Sequence, residues 1–101
     1  MRTLVFFDLP SVTSEDKRNY RKFVKTLKKR GFFMLQESVY AKLCLNKTIS
    51  DLTINQIKKE LPKEGCIMSL TITEKQFQNI AFLLGEIDTD VVISDKRVIK
   101  L

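Results

Sequence analysis

With 101 residues the chain holds one domain, residues 1–101, and one core, since compact domains most often run to roughly 100–150 residues. Lys and Arg total 18 against 12 Asp and Glu, a net charge of +6 that calls for an acidic partner, nucleic acid ahead of membrane. Histidine is absent, which excludes imidazole bases, Ser-His-Asp and Cys-His arrangements and imidazole metal sites; any catalysis must rest on carboxylates, a metal or lysine.

Residues 1–7, MRTLVFF, have no helical spacing and are rich in branched and aromatic side chains, so they read as a strand that Asp8 and Pro10 close. Both of its faces are apolar, Thr3, Val5 and Phe7 on one and Leu4 and Phe6 on the other. Thr13 with Asp16 three residues on resembles a capping box, and Tyr20, Phe23, Val24 and Leu27 follow at i, i+3, i+4 and i+7. An amphipathic helix is predicted from about Thr13 to Arg30, with Gly31 as its stop. Phe32 to Leu45 has strand character interrupted by Gln36, Glu37 and Ser38, the pattern of a hairpin. Asn46 suits the N-cap of a second helix anchored by Ile54, Ile57 and Leu61 and ended by Pro62, with Ile49 and Leu52 on another face. Cys66 to Thr73 alternates as a fourth strand, and Ile80 to Leu84 and Val91 to Ile93 are two further β-like runs around an acidic turn. Cys44 and Cys66, inside apolar runs and without a C-x-x-C pairing, are expected to be small buried hydrophobes.

Strand, helix, strand, strand, helix, strand is the α+β, ferredoxin-like βαββαβ order: an antiparallel four-stranded sheet with both helices on one face. A short C-terminal β extension over about residues 79–101 completes the expected fold. The second apolar face of the first strand then needs a cover, and a second copy of the chain, a homodimer, is the economical one. No apolar run approaches the roughly 18–20 residues of a membrane span, and the N-terminus lacks the pattern of a signal peptide, so a cytoplasmic protein with no membrane contact is expected.

Two features bear on function. Residues 17–30 hold eight of the 18 basic residues, and Arg18, Lys22, Lys25 and Lys29 recur at i, i+4, i+7 and i+11 opposite the apolar stripe, flanked by Arg21 and Lys28. The bland reading is a solvated helix face; the functional one is a phosphate-binding ridge, since no acids are interleaved to pair with it. Asp8 is the second feature. It is either a turn residue preparing for Pro10 or a metal ligand, and because one carboxylate is a poor site, two copies brought together across a dimer axis would make a better one for Mg²⁺ or Mn²⁺.

Val5-Phe6-Phe7-Asp8-Leu9-Pro10, the basic helix, Gly31-Phe32, Gln36-x-Ser38-Val39-Tyr40, Thr73-Glu74-Lys75-Gln76 and Leu83-Leu84-Gly85-Glu86 occur in that order. This ordered set resembles the CRISPR-associated Cas-two (Cas2) family, type II branch, across nearly the whole chain. The resemblance implies a ferredoxin-like homodimer acting as a metal-dependent endoribonuclease or double-stranded DNA endonuclease, with Asp8 as metal ligand and catalytic residue. It also implies a place in the spacer-acquisition machinery of antiviral defence, bridging the Cas-one integrase, a role in which nuclease activity is dispensable. The nucleic-acid partner would be duplex DNA or single-stranded RNA, met through Arg18, Arg21, Lys22, Lys25 and Lys29. Two alternatives stand beside this reading: a catalytically silent DNA-binding adaptor, and an RNA-recognition-type module, against which only Tyr40 is available as an aromatic on the third strand.

Overall fold

The computed structural model describes residues 1–86. Strand β1 (Arg2–Asp8) lies at the centre of a four-stranded antiparallel sheet of order β2-β3-β1-β4, between β3 (Val39–Leu43) and β4 (Cys66–Ile72), with β2 (Phe33–Gln36) at one edge. Its continuous apolar run is explained by this position, because a central strand covered on both faces has no polar side to show.

Helix α1 (Ser14–Lys29) begins where the Thr13 side chain accepts from the Asp16 N–H and the Asp16 carboxylate accepts from the Thr13 N–H, the reciprocal cap expected from the sequence. It ends at Gly31, whose φ of +92° turns the chain so that the Phe32 N–H donates to the Leu27 carbonyl at 3.0 Å. Phe23 and Leu27 of α1, Ile57 of α2 (Lys47–Lys58) and Val5, Phe7 and Tyr40 of the sheet form one buried cluster, so both helices cover the same face. Glu37 and Ser38 make the turn between β2 and β3. The four-stranded sheet with two helices on one face is thus the expected ferredoxin-like core.

Three expectations are corrected. Helix α2 stops at Lys58, before Leu61, which is half-exposed outside it. Its buried face is instead Ser50 and Thr53 beside Ile57. Ser50 Oγ lies 2.6 Å from Thr3 Oγ1 and 2.8 Å from Thr71 Oγ1, so a polar helix face is buried because hydroxyls of β1 and β4 satisfy it. Cys44 is buried, but Cys66 is exposed on the edge strand β4.

The third correction concerns the chain after β4. Residues 74–78 form a short helix, α3 (Glu74–Gln78), and Ile80 to Leu84 is not a strand: Phe82 makes only an isolated bridge. The proposed run Val91 to Ile93 lies outside the described residues. Helix α3 packs on the second sheet face, where Phe77 is buried with Leu4 and Ala41 and joined by Phe33, Leu35, Ile72, Ile80 and Phe82. Arg2 fixes it there. Its guanidinium is buried 4.4 Å from the Phe77 ring centre and its Nε donates to Glu74 Oε1 at 2.6 Å. The chain therefore covers part of its own second face, and leaves Met68, Leu70 and Leu43 about half-exposed on the remainder.

Candidate active site and nucleic-acid interface

Asp8 is the last residue of β1, exposed, and registered opposite Cys66 of β4. By strand alternation its side chain stands on the face of Leu4 and Phe6, at the rim of the partly covered side of the sheet. The backbone beneath it is tightly held. Gly65 turns into β4 with φ +109°, and a Cβ there would lie 2.8 Å from the Asp8 carbonyl oxygen and 2.5 Å from Leu9 Cδ2. Only a residue without a side chain lets this loop close on the end of β1.

The cleft at Asp8 has a volume of about 410 Å³ and is lined by Ser11, Lys17, Tyr20, Arg21 and Ser38 among others. Lys17 and Arg21 are one helical turn apart on α1, and both line this opening at the end of β1 with Asp8. Tyr20 closes the wall between them. Its ring meets Phe7 edge-on at 5.6 Å, and its hydroxyl donates to the Glu37 carbonyl at 3.1 Å, tying α1 to the β2–β3 turn.

A single protomer lines this cleft with two acids, Asp8 and Glu37, and with Ser11 and Ser38, and no group of three metal-ligating side chains is found among the described residues. These are hard oxygen donors, the type Mg²⁺ and Mn²⁺ take, in a number that leaves most positions to water or phosphate. The donor set fits the ion in kind.

Arg18, Arg21, Lys22, Lys25 and Lys29 are all exposed on α1, and the ion pairs Arg2–Glu74, Arg30–Glu60 and Lys47–Asp51 leave them out. Among the described residues, no ion pair joins these five cations to an acid of α1 or of a neighbouring element. Sequence reasoning placed the ridge opposite the core and apart from Asp8, but missed Lys17, which the fold sets beside Asp8 together with Arg21. The spacing i, i+4 of Lys17 and Arg21 was the available signal; that this flank meets the end of β1 was not.

Tyr40, the one aromatic of β3, is turned into the core, where burial first, and then Tyr20 and Glu37, push its hydroxyl above the ordinary tyrosine value. It gives no open stacking platform for bases, which removes the sequence feature nearest to an RNA-recognition module.

A sequence model of the family described as CRISPR associated protein Cas2 matches residues 1–80. The chain is 46% identical over 101 residues to the CRISPR-associated endoribonuclease Cas2 of Treponema denticola, with all of both chains covered. It is 45% identical over 101 residues to that of Ligilactobacillus salivarius, again covering both chains fully. To the Streptococcus mutans protein of the same name it is 46% identical, covering all of this chain and 93% of the relative. The matched span takes in β1, α1 and the β2–β3 hairpin, and the chain belongs to the CRISPR-associated Cas2 family.

Proposed function

We propose that this protein is an endoribonuclease that hydrolyses nucleic-acid phosphodiesters as a homodimer with Mg²⁺ or Mn²⁺ at Asp8, and that it serves spacer acquisition by bridging the Cas-one integrase. The observation that supports it most is that exposed Asp8 lines one cleft with Lys17 and Arg21, in a chain whose full-length relatives bear the name endoribonuclease. Asp8 would hold the cation, with Ser11 and Ser38 near enough to bind its waters. The ion, when bound, activates water and polarises the phosphodiester. Lys17 and Arg21 hold the substrate's phosphate against the carboxylate, and the α1 ridge takes phosphates further along the strand without reading bases. Two copies joined by the half-exposed Met68 and Leu70 would set two Asp8 rims on one side of the sheet pair.

The test is cleavage of labelled RNA with and without EDTA, comparing the native chain with Asp8→Asn. Asp8→Asn should lower the rate at least about 100-fold, within the span of losing a catalytic group, with the folded signal unchanged. Cleavage that survives in rigorously purified Asp8→Asn protein would remove Asp8 from the site.

One observation favours a second reading, a catalytically silent adaptor: the exposed cations Arg18, Lys22, Lys25 and Lys29 of α1 lie outside the lining of the Asp8 cleft. Spacer acquisition would then persist in Asp8→Asn and fail when the ridge is neutralised.

A further inference from the structure

The Asp8 cleft does not end at Arg21. Tyr20, Arg21 and Glu37 also line a second cavity of about 360 Å³, which runs between α1 and the edge strand β2 and falls within the size range of small-ligand sites. Its floor is apolar, formed by Val24, Tyr40 and Met34. Met34 is 51% exposed on β2 although its cross-strand partner Tyr40 is buried. Its rim is cationic: Arg21, Lys25 and Lys28 stand along α1. Among the described residues, Glu37 is the acid that lines the groove, and it lines the Asp8 cleft as well.

We infer that this groove is a nucleobase subsite, holding one unpaired base of the strand whose phosphodiester lies at Asp8. This rests on reading the Asp8 cleft as the reacting site. An apolar floor bordered by cations matches a nucleotide, whose base seeks a π-face or thioether and whose flanking phosphates seek Lys or Arg. A row of phosphates alone would need no such floor. The lining residues the two cavities share, Tyr20, Arg21 and Glu37, set the order along the strand: phosphate at Lys17 and Arg21, base on Met34 and Val24, next phosphate at Lys25 and Lys28. Glu37 offers an acceptor for an amino group on the base edge. A paired base is stacked within its duplex and cannot lie on this floor, so the strand is single-stranded where it crosses the groove.

The test reads binding by fluorescence anisotropy in EDTA, so that cleavage plays no part. The probes are a short fluorescein-labelled single-stranded RNA, the same strand with abasic residues, and the RNA in duplex form. The native chain should bind the base-bearing strand at least about twofold tighter than the abasic one, the lower range for a thioether against an aromatic ring. Met34→Ala should erase that preference and leave abasic and duplex binding unchanged, while Met34→Leu keeps it. Equal affinity for the first two probes in the native chain, or a Met34→Ala loss shared by all three, would overturn the subsite. So would a Met34→Ala defect seen only with an acidic, leucine-containing peptide, which would make the groove a protein-docking surface. A failure of the nuclease reading shows elsewhere, as Asp8-independent cleavage, and leaves these affinities untouched.

Discussion

Gly65 is where one residue holds the site in place. Its φ of +109° and the 2.8 Å separation of a notional Cβ from the Asp8 carbonyl mean that Gly65→Ala must push the loop and the end of β1 apart. The substitution should cost about 1–3 kcal/mol, the range for a residue forced into a sparsely populated conformation, and should slow cleavage as well. Urea denaturation would show it; a change below about 0.5 kcal/mol, typical of neutral surface sites, would mean the loop has room to yield. Tyr40 gives the pH prediction. The folded chain holds its phenolic proton to higher pH than the unfolded chain does, because burial disfavours the phenolate. That stabilisation is whole below the ordinary tyrosine value of about 10 and is lost as the pH rises through the folded value. Denaturation midpoints should therefore fall above about pH 10, and fall less steeply in Tyr40→Phe. Parallel slopes for the two proteins would dismiss the effect.

Among elements, α1 holds both halves of the functional reading, its outer ridge for phosphates at large and its β2-side flank for the cleft and groove. Replacing Arg18, Lys22, Lys25 and Lys29 with Gln should weaken duplex binding for all sequences alike. Each lost phosphate contact should lower the log–log salt slope by about 0.9. A slope that stays put would leave the ridge a solvated face. This helix was legible in the sequence, from the Thr13 cap to Gly31, since its 3.6-residue stripe and end signals are local. The interior of α2 was less so. Ser50 and Thr53 read as a polar face, and only hydroxyl partners on β1 and β4, far away in sequence, make that face a buried one. Helix α3 was hidden for a similar reason. Its five residues are too few to show a stripe, and it rests on Phe77 packing and the Arg2–Glu74 pair rather than on propensity.

For the whole molecule the open part of the second sheet face sets the expectation. Met68 and Leu70 are 59% and 52% exposed on the edge strand β4, and a second copy is the cover we propose. Light scattering at micromolar concentration should give a dimer mass, and Leu70→Lys should give a monomer, since a lysine cannot be buried unpaired there. A native chain that scatters as a monomer would leave the face to another partner. The sequence by itself determined the strand and helix order, the α1 cap, the basic ridge and Asp8 at a strand end, because periodicity, caps and charge spacing are properties of neighbouring residues. Only the tertiary structure decided that Lys17 and Arg21 share a cleft with Asp8, that Gly65 presses on the end of β1, and that α3 covers part of the sheet. Those are distances between segments far apart in the chain, set by strand pairing and by which side chains find partners once packed, and no local pattern encodes them.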